Sequence, residues 1–456
     1  MGANLPGSVP SGARAPPSEP SQDRREARWT AAIAVVAVAA LGTLAALHPG
    51  LRFVDFIGFS GRAHMLLEGR DLVHPLYPVG YPAVLLATRW LTGDVLVAGK
   101  VLAVLAGAGA ALAVARLLGP WAALWLLAQG ALLEWGATEG TDMAAVSLAL
   151  GALAAAHHKR PVLSGALAGA ACLVRYTAVA VVPVALLLAG QPLRFLAALL
   201  LSTAPHWGLA LALGRSPFPE QSYNLAIAAG RPAALWSLDT LQRWPRGLRQ
   251  AVMAAASGWP SRVAAAGLLW AAWRRDRRAW ALLGLAGLHC AVLGLAFANP
   301  RLALPATLAL SLGAAWLLPR WWLAVPALAL GAWNVWQAAT PSPSEIRLDE
   351  VVAATADLPG PFLSSSPWFY QQRDGWIIAS VPLREAGTDP RSLSPAALLR
   401  FARDHGFRYV AVEPGRVQVT YPGLTPLLRQ PVPEGYTLAT KTSTWRVYEI
   451  PPPDAP

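Results

Sequence analysis

Long apolar runs separated by short polar stretches fill the first three quarters of the chain. The first, Trp29–Leu47, follows Arg24, Arg25 and Arg28. About nineteen apolar residues in a helix cross roughly 30 Å of hydrocarbon. With no small-residue cleavage site behind it, the run predicts a retained membrane helix and not a removed signal. Further spans are expected over Val95–Leu117, Trp121–Trp135, Met143–His157, Leu193–Leu213, Val263–Trp273, Trp280–Ala298, Leu302–Leu318 and Trp321–Ala339. The segment Val162–Ala189 has 28 residues, long for one helix and short for two full crossings. Read as two half-length helices turning near Arg175–Tyr176, it puts His157–Arg160, Gln191–Arg194, Arg274–Arg278 and Pro319–Arg320 on the same side as the N-terminus. These are the Lys/Arg-rich short loops, which the positive-inside bias places in the cytoplasm. The pattern predicts about eleven transmembrane helices, with the N-terminus in the cytoplasm and the C-terminus outside. One loop opposes the bias: Gly214–Gln250 carries Arg215, Arg231, Arg243, Arg246 and Arg249 outside. Long loops obey the rule less strictly.

The two ends read differently. Residues 1–28 are rich in Pro, Ser, Gly and Arg with nothing to bury, which predicts a disordered cytoplasmic tail. After Pro341 the periodicity changes. Phe362–Ser366, Ile377–Val381, Tyr409–Val412 and Thr444–Ile450 have the pattern of strands, and Ala396–His405 puts Leu398, Leu399 and Ala402 on one helical face. Residues 341–456 are expected to form a small extracytoplasmic α/β domain, tethered to a membrane domain over 29–340.

Composition sharpens this picture. The chain is 55% hydrophobic and only 14% charged, against about 25% charge in soluble domains. A net charge of +12 is of the sign that suits a nucleic-acid partner. However, residues 341–456 hold 12 acids and 11 bases, so the excess lies in 1–340, where bases punctuate apolar runs and form no single face. No nucleic-acid partner is expected. Cys172 and Cys290 both fall inside apolar runs and make neither a disulfide framework nor a metal-ligand pattern.

The expected topology sorts the acids. Asp55, Glu68, Asp71, Asp94, Glu134, Glu139, Asp142, Glu220 and Asp239 fall outside, and between Trp29 and Thr340 only Asp276 falls inside. This asymmetry points to an outward-facing polar site built from loops and helix ends. Asp55, in the first outer loop, is placed to take a proton from an attacking hydroxyl or to hold a divalent cation; a solvated loop acid fits its position equally. Glu139 and Asp142 sit at the outer start of a helix, where Thr141 can cap and an acid suits the positive end. Arg175 lies between apolar half-helices. A guanidinium there either snorkels to the interface or serves a site, and its planar fork matches phosphate. Arg301, in Asn299-Pro-Arg-Leu-Ala-Leu-Pro305, reads similarly. His206, within a span, reads as a packed, hydrogen-bonded residue. No phosphate-binding loop, His-Glu-x-x-His or Gly-x-Ser-x-Gly signature is present.

Several stretches, in order, resemble the GT-C superfamily of membrane glycosyltransferases, above all the branch of protein O-mannosyltransferases and aminoarabinose transferases. They are Asp55 with Phe59 four residues on, Ala63-His-Met-Leu-Leu-Glu-Gly69 and Tyr77-Pro-Val-Gly-Tyr-Pro82. They continue with Thr141-Asp142, Leu173–Thr177, Gly214–Asn224 and Arg301–Pro305, and the likeness spans about residues 30–340. The chain departs from the family pattern at Phe56, where a second acid is frequent, at Phe59 and at Leu302. The resemblance implies transfer of a sugar from a polyprenyl-phosphate donor to a hydroxyl of a lipid, glycan or protein acceptor, on the outer side of the cytoplasmic membrane and with inversion. It implies Asp55 as general base, Asp142 or Glu139 as the group orienting the sugar or a divalent cation, and Arg175, Tyr176 and Arg301 as holding the donor phosphate. No metal ligand set is implied. A transporter or flippase for a lipid-linked sugar, or a non-catalytic membrane scaffold, would use the same surface.

Overall fold

The computed structural model describes residues 22–451, apart from 49, 53–55, 68, 70–72, 74–77, 218–220, 223–232, 235–237, 296–299, 318–321, 323, 342, 367–374 and 379–392. It is mostly helical. The membrane-type region contains α1 (Gln22–Leu47), α2 (Phe56–Leu67), α3 (Gly80–Thr92), α4 (Val95–Leu118), α5 (Pro120–Leu127), α6 (Gly130–Gly136), α7 (Thr141–His157) and α8 (Pro161–Val174). After a 3-10 turn at Tyr176–Ala180 follow α9 (Val181–Ala189), α10 (Pro192–Ala212), the small pair β1 (Gln221–Ser222) and β2 (Ala233–Ala234), α11 (Leu238–Ala255) and α12 (Trp259–Trp273). The region closes with α13 (Arg277–Leu295), α14 (Leu304–Ser311), α15 (Ala314–Leu317) and α16 (Ala324–Ala339).

Local signals set many of these boundaries. Asp94 caps α4 by accepting the Val97 N–H at 2.8 Å, and Gly119 ends it. Helices α5, α8, α10, α12 and α14 each open with proline in the first turn, where no N–H is needed. Among the described residues, four helices are long and apolar enough to cross a membrane alone: Arg28–Leu47, Val95–Leu118, Pro192–Ala212 and Arg277–Leu295. Their outer surfaces suit lipid: Val35, Leu193 and Leu201 are each more than two-thirds exposed, which water would oppose. Inside, α4 packs against α1, α3, α5, α6 and α7 around a core rich in alanine.

Several expectations are corrected. Helix α1 begins at Gln22, inside the stretch read as a disordered tail. The expected span Trp121–Trp135 is two short helices, broken where Gln129 adopts an extended backbone before Gly130. The buried Gln129 side chain donates to the Trp125 carbonyl at 3.1 Å, so a polar residue and a glycine interrupt the run. Leu302–Leu318 is likewise interrupted, with α14 ending at Ser311 and Gly313 lying against the backbone of Ala264 and Leu268. Helices α2, α3 and α11 were not anticipated, because they are too short or too polar to register as spans.

Beyond α16 the chain forms α17 (Pro343–Ala354), β3 (Phe362–Ser364), β4 (Gly375–Ile377), α18 (Pro395–Asp404), β5 (Tyr409–Val412), α19 (Pro414–Thr420), β6 (Thr437–Lys441) and β7 (Arg446–Glu449). The five strands make one sheet in the order β4-β3-β5-β7-β6, parallel across β4, β3 and β5 and antiparallel beyond. Alternation along the central strand β5 explains the layering. Val410 and Val412 pack with Leu398 and Ala402 of α18, while Tyr409 and Ala411 pack with Leu348 and Val351 of α17. Strand β6, mostly exposed, was missed for lack of an apolar pattern.

Candidate active site

The Val162–Ala189 segment breaks where it was expected to. Helix α8 ends at Val174, and Arg175 takes an extended conformation before the 3-10 turn. This break releases the Arg175 side chain sideways toward the start of α7. Its Nη1 donates to Thr141 Oγ1 at 2.8 Å and to Asp142 Oδ1 in an ion pair. From another direction Arg301, in the turn before α14, brings Nε to 3.7 Å from Asp142 Oδ2. One carboxylate, 5% exposed, is thus flanked by two guanidiniums that are each about one-fifth exposed. Residues more than 150 positions apart meet at one spot.

The N-terminus of α7 is not built as the sequence suggested. Gly140 is the cap residue, and Thr141 is the first helical residue, its hydroxyl engaged by Arg175 and not by a backbone N–H. The Gly140 N–H donates to Tyr81 Oη at 3.2 Å, and the Tyr81 ring stands edge-on to Phe59 at 5.4 Å. The tyrosine of the Tyr77–Pro82 stretch therefore holds the chain just before Asp142. Its neighbour Gly80 lies against the end of α8, where a Cβ would fall 2.5 Å from the Leu173 carbonyl oxygen. Only glycine permits this approach, so the motif positions both the Asp142 and the Arg175 sides of the site.

The other expected residues fall into three groups. Tyr176, half-buried, follows Arg175 and lies within the field of Arg62. Glu139 is fully buried and accepts the Arg52 N–H at 2.6 Å, tying the chain after α1 to the α6–α7 connection. In that place it serves the scaffold beside the Asp142 pair. Asp55 lies outside the described residues, as do Glu68, Asp71 and Glu220. Asp94 is occupied as a helix cap. Asp276, the acid expected inside, accepts from the Arg278 N–H at 2.8 Å, its Nη2 at 2.9 Å and the Trp316 indole at 3.0 Å. Burial would raise its pKa, but these donors outweigh it and hold the group at about 2. Cys172 and Cys290 are free thiols.

Two residues were missed. His289 of α13 is 1% exposed, and Nε2 bonds the Leu302 carbonyl at 2.9 Å. The Thr177 carbonyl is its other backbone neighbour. The imidazole thus braces the turn carrying Arg301 from α13, with the segment after Arg175 beside it. Arg62 of α2 is buried beside Tyr176 and His206. A lone His inside Leu-His-Cys and an Arg two residues before His64 carry no spacing signal that would have revealed either.

Chemically, the cluster offers cationic donors preset around one carboxylate, as an anionic group needs. It is a poor cation site: a divalent ion on Asp142 would face two guanidiniums, and the described residues contain no cluster of three or more His, Cys, Asp or Glu.

No family model matches the sequence, and no curated protein matches it. Solved structures do. The crystal structure of ArnT, an aminoarabinose transferase, from Cupriavidus metallidurans bound to undecaprenyl phosphate superposes with a TM-score of 0.58. The match covers 92% of this chain and 98% of that one at 14% identity. The same protein in its apo state gives a TM-score of 0.57, 93% and 98% coverage and 15% identity. An Archaeoglobus fulgidus oligosaccharyltransferase tethered with an acceptor peptide aligns at a TM-score of only 0.45, with 12% identity over 94% of this chain and 74% of that one. Over almost its whole length, the chain shares the fold of that aminoarabinose transferase structure.

Proposed function

We propose that the protein is a membrane glycosyltransferase that moves a sugar, a hexose or a pentose, from a polyprenyl-phosphate donor to an acceptor hydroxyl on the extracytoplasmic side. The carrying observation is the convergence of Arg175 and Arg301 on Asp142 at breaks in three separate helical segments. The fold shared with a structure that binds undecaprenyl phosphate supports the donor class. In this reading about eleven helices cross the cytoplasmic membrane, the N-terminus is inside, and residues 341–456 form the outer domain.

The charge balance fits a leaving phosphate. Two guanidiniums and one carboxylate sum to a single positive charge, which suits the singly charged phosphodiester of the donor. As the glycosidic bond breaks, the phosphate moves toward two negative charges, and preset donors stabilise that change more than the ground state. Arg175, with Tyr176 beside it, and Arg301 hold the phosphate. Asp142 keeps the two guanidiniums apart and orients them, or turns one oxygen to the sugar. Asp55 takes the proton of the attacking hydroxyl, and a single displacement inverts the anomeric carbon. Such a base contributes about 10²–10⁴-fold. No step requires a metal.

The test is Asp55→Asn. Transfer of radiolabelled sugar from donor to acceptor should fall by at least about a hundredfold while binding of undecaprenyl phosphate is retained. Full turnover in that variant rejects the assignment. Movement of donor between leaflets without labelled product would favour a flippase.

A further inference from the structure

Far from this cluster, the starts of α8 and α10 enclose an open groove of about 500 Å³ lined by Arg160, Pro161, Val162, Leu163, Ala166 and Arg194. The two helices run parallel: Gly165 lies against Phe195, and Gly169, four residues on, lies against Leu199. Their N-termini therefore emerge side by side. Both open on proline without a side-chain cap, leaving two positive helix ends adjacent. Arg160 and Arg194 stand at the rim, and among the described residues neither guanidinium has a hydrogen bond or an ion pair. Below them Val162 and Leu163 are largely exposed, giving an apolar floor that continues toward the hydrocarbon.

We infer that this groove binds an anionic glycerophospholipid of the inner leaflet, its phosphate between Arg160 and Arg194 and one acyl chain along Val162, Leu163 and Ala166. The inner placement rests on the proposed topology, in which both loops are cytoplasmic; the binding itself does not. Charge complementarity selects the occupant. Two unpaired guanidiniums and two helix N-termini favour a headgroup with net negative charge over a zwitterionic one. The apolar floor favours a lipid over a free phosphate. Basic pockets between membrane helices at headgroup depth are a recurrent site for such lipids.

Native mass spectrometry of the full-length protein with equal amounts of phosphatidylglycerol and phosphatidylcholine tests this. Wild type should carry a phosphatidylglycerol adduct. At roughly fivefold per arginine near the surface, R160Q or R194Q should weaken it about fivefold and the double variant about twenty-five-fold, with phosphatidylcholine unchanged. A166W, which fills the groove and keeps both arginines, should also lose the adduct. Size-exclusion elution like that of wild type shows that each variant is folded; R160Q and R194Q singly serve if the double variant is not. Equal phosphatidylglycerol binding by wild type and the arginine variants would overturn the proposal, as would retention by A166W. Displacement of the adduct by equimolar undecaprenyl phosphate would overturn the choice of occupant. None of these residues touches the Asp142 cluster, so failure here leaves the transferase reading standing.

Discussion

Removing the guanidinium at position 175 isolates the phosphate-holding role. In the free protein Arg175 Nη1 serves two acceptors, Thr141 Oγ1 at 2.8 Å and the Asp142 carboxylate. A phosphate entering the site gains a hydrogen bond to a charged donor, worth about 1.5–3 kcal/mol. At about 1.4 kcal/mol per factor of ten, Arg175→Ala should weaken undecaprenyl phosphate binding by about ten- to a hundredfold. Undecaprenol, which has the tail but no phosphate, should bind both proteins equally. Arg175→Lys keeps the charge but loses the planar fork that matches a phosphate, and should recover only part of the loss. Because Arg301 approaches the other oxygen of Asp142, the pair should be coupled. The double alanine variant should lose less than the sum of the single losses, since either removal frees Asp142 to engage the remaining arginine. Binding is read by fluorescence titration in detergent. Equal affinity of wild type and Arg175→Ala for undecaprenyl phosphate, with unaltered thermal stability, would refute the assignment.

Three further perturbations test the scaffold, two of them beside this pair and one away from it. His289→Ala removes the donor to the Leu302 carbonyl and should cost about 1–3 kcal/mol of positioning, seen as a drop in kcat of about five- to hundredfold that His289→Gln partly restores; unchanged kcat per folded molecule would make His289 a packing residue only. Gly80→Ala forces a Cβ to 2.5 Å from the Leu173 carbonyl and should destabilise the protein by about 1–3 kcal/mol, lowering Tm and activity together; an unaltered Tm would show that the approach of α3 to α8 is loose. Asp276→Asn probes the turn between α12 and α13. Because the folded pKa of about 2 lies below the ordinary aspartate value of 3.8, ionised Asp276 stabilises the fold above that value and stops doing so as pH falls through about 2. The variant should melt lower than wild type at neutral pH, the gap closing between pH 3.8 and 2; a gap independent of pH contradicts the ion-pair origin.

Much of the architecture was legible because lipid imposes a simple rule: apolar surface must cover a helix long enough to cross. Runs such as Val95–Leu118 announce themselves, and the break at Arg175 was marked by a charged residue in the middle of an apolar stretch. The convergence of Asp142, Arg175 and Arg301 could be suspected from their common side, but their contact depends on helix packing that no local pattern encodes. The same limit hid His289, which sits on an ordinary apolar helix and acts only through the carbonyl it meets. Helices α2 and α3 escaped because they are short, and α11 because its polar residues give it the composition of a loop. In the C-terminal region β5 was visible through its apolar run, whereas β6 (Thr-Leu-Ala-Thr-Lys) is polar enough to pass for a turn.

The location of the cluster follows from a constraint on backbone more than on side chains. At membrane depth, unpaired N–H and C=O groups are tolerated only where protein or a polar cavity satisfies them. The chain breaks its helices at Gly140, at Arg175 and at the turn of residues 300–303, and each break brings polar backbone with it. Where the three breaks gather, side chains of neighbouring helices meet part of that backbone: Tyr81 of α3 accepts the Gly140 N–H, and His289 of α13 bonds the Leu302 carbonyl. The same gathering puts one charged side chain from each break into contact. Helix rupture and site assembly are then a single structural event. Changes at buried supports such as Gly80 or His289 should consequently move turnover as well as stability, because loosening one break displaces the charges that the other two present.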